Sequence, residues 1–148
     1  MTTTPTSALL VDLAPRFYQA LAAADTDGAL ALAHRDLELQ IPTAPRGVPR
    51  AVTGHDGLAA MISNISRTWT NLTVEVTEAH AYADDPNRGI AEAEVSAINC
   101  DGSRYVNHYI VLVEIADGLI RRWEEYYDPA PMVVAIDALR ARARAGSG

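Results

Sequence analysis

Near its end the chain carries the run Trp123-Glu124-Glu125-Tyr126-Tyr127-Asp128-Pro129, in which two neighbouring carboxyls stand among large aromatic side chains. On a strand, successive side chains point to opposite faces, so one glutamate joins the aromatic set and the other does not. A carboxyl surrounded by rings loses its water, which disfavours the charged form and raises its pKa. A glutamate tuned in this way can give a proton near neutral pH and take it back. Which glutamate it is depends on the register of the last hairpin. A two-residue turn at Asp117-Gly118 would set Glu125 opposite Ile110 and His108 opposite Tyr127. A three-residue turn, Ala116-Asp117-Gly118 with Gly118 left-handed, would set Tyr109 opposite Glu125, Asn107 opposite Tyr127 and Val111 opposite Trp123. A shift of one residue exchanges the two faces. We prefer the three-residue turn, because it gathers Tyr105, Asn107, Tyr109, Trp123, Glu125 and Tyr127 on one surface. An aromatic surface with a few hydrogen-bonding groups is the usual makeup of a small-molecule site.

On that reading Glu125 is the acid and base, and the phenol of Tyr109 or Tyr105 holds a developing enolate oxygen. Asn107, Trp123 and Tyr127 bind substrate, joined by Tyr18 from the first helix if its hydroxyl points inward. The set suits enolisation, ring closure, dehydration or imine formation on a flat conjugated molecule. The plainer readings are a Glu125 paired with Arg121 or Arg122, and Trp123, Tyr127 and Tyr18 as ordinary core. His108, a ready general base by residue type, is turned to the other face with Ile110, Leu112, Arg122, Glu124 and Tyr126.

Such a set needs strands to align it and helices to cover it. Leu9, Leu13, Phe17 and Leu21 recur every four residues, with Leu10 and Tyr18 beside them, which predicts a helix over about 7–24. Pro15 either kinks it or marks its first turn. Asp25 and Thr26 suit the start of a short helix through Leu32. Leu37 to Pro42 alternates as a strand and stops at proline. Residues 43–53, rich in proline and glycine, read as a long loop of the kind that often serves function. Gly54-His55-Asp56 opens a third helix carrying Leu58, Met61, Ile62 and Ile65. From Asn71 the period changes to two. Strands are predicted from Asn71 onward, then over 90–99, 105–115 and 119–127, separated by turn clusters. Met132 to Ala145 closes the chain as a helix. Helices first and hairpins after is the α+β pattern, here as one domain over 1–148 with loose ends at 1–6 and 146–148.

Composition removes several function classes. A net charge of −7, with arginine and no lysine as the basic side chains, argues against a nucleic-acid partner. The cluster Arg140, Arg142 and Arg144 reads as a solvated helix end. Cys100 is the lone cysteine, so no internal disulfide forms, and no Cys/His group has metal-ligand spacing. No secretory signal and no run approaching roughly 18 apolar residues is present, so a cytoplasmic protein without a membrane partner is expected.

Three stretches resemble a known family: Phe17-Tyr18-Gln19-Ala20-Leu21, Ala44-Pro45-Arg46-Gly47-Val48-Pro49-Arg50 running into Gly54-His55-Asp56, and Asp117-Gly118-Leu119-Ile120 through Glu125-Tyr126-Tyr127-Asp128-Pro129. Together with the order of elements they resemble the nuclear transport factor 2-like superfamily, in the branch holding SnoaL-like polyketide cyclases and the PhzA/PhzB phenazine-biosynthesis proteins. The resemblance implies a cone: three N-terminal helices packed in a strongly curved antiparallel sheet, plus a C-terminal helix. It implies a cofactor-free homodimer, paired through the sheet, that uses one pocket carboxylic acid on a small aromatic or polyketide-like substrate. In that branch the acid lies on the last strand just before the Tyr-Tyr-Asp-Pro stretch, here Glu125. Steroid isomerases of the superfamily carry their base on the first strand, where this chain offers Gln40 and Pro42, and Glu38 only with a shift of register. The function implied is a cyclase, isomerase or dehydratase of secondary metabolism, and the alternative is a non-catalytic binding module of the same fold.

Overall fold

The computed structural model describes residues 6–146. The apolar stripe of the first segment forms α1 (Thr6–Ala22), which runs through Pro15 and buries Leu10, Leu13, Phe17 and Leu21. The Asp25 carboxylate caps α2 (Thr26–Leu32) by accepting the Gly28 N–H at 3.0 Å, satisfying one of the orphan donors of the first turn. The chain then enters β1 (Ala33–Gln40) directly, four residues earlier than the alternation at Leu37 predicts. Within the expected loop, Ala51–Thr53 pairs with β1 as a short strand, β2. There follow α3 (Gly54–Thr68), β3 (Trp69–Ala81), β4 (Arg88–Asn99), β5 (Arg104–Ala116), β6 (Leu119–Tyr126) and α4 (Pro129–Gly146). Thr6 and Gly146, expected in the loose ends, fall inside helices; residues 1–5 and 147–148 lie outside the described residues. No described helix is long and apolar enough to cross a membrane.

The six strands form one curved sheet in the order β2-β1-β6-β5-β4-β3. Its pairs are antiparallel except β1 with β6, which run parallel and set Leu39 beside Trp123. This α+β architecture is the nuclear transport factor 2-like fold that the sequence predicts. One face of β5 buries Tyr105, Asn107, Tyr109, Val111 and Val113, while His108 and Val106 point outward. Against that inner face α1 contributes Phe17, whose ring meets Trp123 at 4.7 Å between centroids. Along β4, β5 and β6 the sheet thus has one dry face, turned toward the helices, as a half-buried antiparallel sheet requires.

The last hairpin departs from the preferred register. Asp117 and Gly118 form a two-residue turn, both with positive φ (54° and 75°), and Ala116 pairs with Leu119. Positive φ at both central positions is what the tight hairpin turn demands. A bulge at Arg121 then adds one residue to β6, so that Glu125 lies opposite Val111 and Trp123 opposite Val113. The partner of Glu125 is therefore Val111 and not Tyr109. The faces nevertheless come out as the three-residue turn would give them, because the turn and the bulge together move the register by two residues from it.

Gly89 sits where β4 crosses the end of β3, paired with Ala81. A methyl there would strike the His80 carbonyl oxygen and come within 3.0 Å of Ala81 Cα. Gly89→Ala should therefore lower stability by about 1–3 kcal/mol. Urea denaturation checks this, and an unchanged midpoint would contradict the packing at that crossing.

Candidate functional site

Glu125 is buried at 8% exposure, on the inner face of β6. The Tyr18 hydroxyl of α1 donates to its Oε1 at 2.7 Å, and the Trp123 indole N–H reaches the same oxygen at 3.4 Å. Both donors converge on Oε1. Oε2 has no partner among the described residues and is not enclosed by them. A proton held by this carboxyl therefore belongs on Oε2, where a ligand can meet it. Burial raises the Glu125 pKa above its ordinary value, and the two hydrogen bonds from Tyr18 and Trp123 pull it part of the way back. Desolvation dominates, as expected where no cation stands nearby. The Tyr18 phenol is pushed well above its own ordinary value by burial first and by the neighbouring carboxyl second, so it keeps its proton and remains a donor.

The other residues singled out in the sequence divide into two sets. Tyr18, Tyr109 and Tyr127 line a cavity of about 580 Å³ together with Glu125. Tyr105, Asn107 and Trp123 do not line it; they stand behind its wall. Trp123 is fully buried between Phe17 and Tyr18. Tyr105 packs on the Trp69 ring at 4.7 Å. Asn107 donates to the Tyr105 hydroxyl and to the Asp128 carbonyl, both at 2.9 Å, and so ties the exit of β6 to β5. Tyr109, expected to face Glu125, stacks instead on Tyr127 at 4.9 Å, and its hydroxyl bonds Tyr105 at 2.8 Å. Burial pushes the Tyr105 phenol up to about 12. These two phenols satisfy each other, and the Tyr18 phenol takes the place by Glu125 that the register argument gave to Tyr109.

The sequence reading did not find the far wall of the cavity. Met61, Ile65 and Asn64 of α3 and Trp69 and Leu72 of β3 all line it. A signal was present: the apolar stripe of α3 is wider than its packing needs. Leu58 and Ile62 are fully buried, whereas Met61 and Ile65 keep part of their surface for the cavity. Gly47, Val48 and Pro49 of the 43–50 loop and Ile136 and Leu139 of α4 also line the cavity, Gly47 and Pro49 with exposed surface. Apart from the tyrosines, Glu125 is the one ionisable side chain among the described residues of the wall. A volume of 580 Å³ falls in the usual range for small-molecule sites.

A curved sheet and helices, enclosing one buried acid in an apolar cavity, define an α+β protein of the nuclear transport factor 2-like fold. The chain matches the SnoaL-like domain over residues 14–123, and it belongs to that family. The matched span stops two residues short of Glu125. Solved structures agree on the fold. A Bacillus subtilis protein provisionally assigned as an isomerase shares 20% identity over 91% of this chain and 97% of its own, with a TM-score of 0.80. A provisionally assigned SnoaL-like polyketide cyclase from Jannaschia sp. CCS1 shares 14% over 92% and 96%, with a TM-score of 0.75. TerC, crystallised with polyporic acid, shares 16% over 90% and 99%, also at 0.75. No curated protein matches the chain.

The Tyr127 hydroxyl is the one buried side-chain polar atom without a hydrogen-bond partner among the described residues. A buried donor left unpaired costs roughly 1–3 kcal/mol. Tyr127→Phe should accordingly leave the melting temperature unchanged or raise it. A fall equivalent to more than about 1 kcal/mol would mean that the hydroxyl is bonded after all.

Proposed function

We propose that the protein is a cofactor-independent enzyme that moves a proton on a small, largely apolar molecule, with Glu125 as the general acid and base. The observation that carries this reading is the protonation geometry of Glu125. One oxygen is saturated by Tyr18 and Trp123, the other is open, and burial keeps the group neutral to higher pH than an ordinary glutamate. An acid with a raised pKa is matched to proton transfer near neutrality. Membership of the SnoaL-like family, and fold neighbours assigned as an isomerase and a polyketide cyclase, support the cyclase, isomerase or dehydratase class within secondary metabolism.

In the proposed step Oε2 hands its proton to a substrate oxygen, or the carboxylate takes one from the adjacent carbon. The bond from Tyr18 steadies the carboxylate while it is charged. The apolar wall excludes water and holds a flat ring system near the acid. A competing reading, a module that binds a ligand without chemistry, is favoured by one observation. The hydroxyls of Tyr105 and Tyr109 bond each other, which leaves no second phenol poised beside Glu125 other than Tyr18.

Deuterium uptake at the α-carbons of 2-tetralone, followed by proton NMR in heavy water, separates the two readings. The protein should accelerate exchange, and Glu125→Gln, which keeps the shape and removes the proton, should slow it by about a hundredfold or more. Equal exchange by both proteins would leave the binding module as the better account.

A further inference from the structure

The arginines of this chain are distributed unevenly between partners and solvent. Arg88, Arg121 and Arg122 each stand beside a carboxylate: Glu114 at 3.1 Å, Glu38 at 3.9 Å and Glu124 at 3.6 Å. Arg46, Arg50 and Arg140 differ. All three, like Arg104 at the start of β5, are exposed, and none of the four has an ion-pair or hydrogen-bond partner for its side chain among the described residues. Asp137, one turn before Arg140 on α4, forms no ion pair with it. In a protein of net charge −7, three of these four unpaired cations adjoin the one loop 46–50, which calls for a reason.

That loop is a rim of the cavity: Gly47 and Pro49 line it and are exposed, and Arg46 and Arg50 flank them in sequence. Arg140 reaches the same loop from α4. Gly47 holds a left-handed backbone, φ +97°, and a β-carbon there would lie 2.5 Å from Arg140 Nη2 and 3.5 Å from Ile136, itself a residue of the cavity wall. The missing side chain at position 47 lets the guanidinium lie against the loop. Below the lip the wall changes character: it holds no cation among the described residues, and its one acid is Glu125. An anion carried to the bottom would lose its hydration with nothing to replace it. At the lip it would meet three guanidinium groups and keep part of its water.

We propose that the cavity takes an amphiphile tail first: an apolar body inside, and an anionic head group, carboxylate or phosphate, held at the lip by Arg46, Arg50 and Arg140. The proposal rests on the cavity being the binding site and is independent of any chemistry at Glu125. It also fixes an orientation. The part of the ligand beside Glu125 is the end remote from its charge, so a reaction there takes place far from the head group.

Calorimetric titration of the full chain with octyl phosphate, octanoate and octan-1-ol tests this, since the three share a tail and differ in the head. At about 20 mM salt at least one anion should bind about tenfold or more tightly than the alcohol, from three rim contacts of roughly two- to fivefold each. The advantage should shrink at about 200 mM salt, as exposed charges are screened. A gain for octyl phosphate alone assigns the head group as phosphate, a gain for octanoate alone as carboxylate, and a gain for both as an anion of either kind. The triple variant Arg46→Gln, Arg50→Gln, Arg140→Gln should lose the preference while keeping the affinity for octan-1-ol. Equal binding of all three ligands overturns the proposal, and so does a preference that survives in the triple variant. Loss of octan-1-ol binding in that variant would mean that the arginines hold the loop and not a ligand, and overturns it as well. Glu125→Gln should retain the full anion preference, so a failure here is distinct from a failure of the acid–base reading.

Discussion

The hydrogen bond from Tyr18 to Glu125 joins residues 107 positions apart and ties α1 to the inner face of the sheet. In its buried position that bond and the one from Trp123 replace part of the water Glu125 has lost, while burial disfavours its charged form. The aromatic contacts around it follow from the same constraint. Phe17 and Tyr18 pack on Trp123, Tyr109 stacks on Tyr127, and Tyr105 packs at a tilt on Trp69.

The two faces of β5 and its neighbours show that burial, more than residue type, decides the chemistry. His108 lies on the same strand as Tyr109 but points outward, with its Nδ1 2.7 Å from Glu94 and its Nε2 3.3 Å from Glu92. Hydrogen bonds to Glu94 and then Glu92 raise its pKa. This is a solvated charge cluster on the far side of the sheet from the cavity. Glu125, an ordinary carboxyl by type, acquires its altered acidity from the rings and the helix that enclose it.

Much of this was legible in the sequence. The four-residue spacing from Leu9 to Leu21, the Asp25 cap and the alternation of β5 follow from local rules that the structure obeys, and the inner-face set from Tyr105 to Tyr127 came from alternation combined with the choice of a three-residue turn. The register did not, because two local irregularities act together. Asp117-Gly118 makes the tight two-residue turn, and the bulge at Arg121 then restores the face that a longer turn would have given. The clue lay in β6 itself. Ile120 and Trp123, both fully buried, stand three apart, a spacing that regular alternation forbids. The choice of Tyr18 over Tyr109 as the partner of Glu125 was not legible, since it depends on how α1 crosses the sheet, which no local pattern encodes. The same holds for the α3 wall of the cavity and for Arg140 reaching across to Gly47.

Burial against these rings holds Glu125 neutral to higher pH than an ordinary glutamate. Carbon-13 NMR of glutamate carboxyls through a pH titration measures it directly, with Glu125→Gln assigning the signal. The midpoint should lie above the ordinary glutamate value of 4.5 and rise further in Tyr18→Phe, where the bond that favours the carboxylate is gone. A midpoint at or below the ordinary value would contradict it.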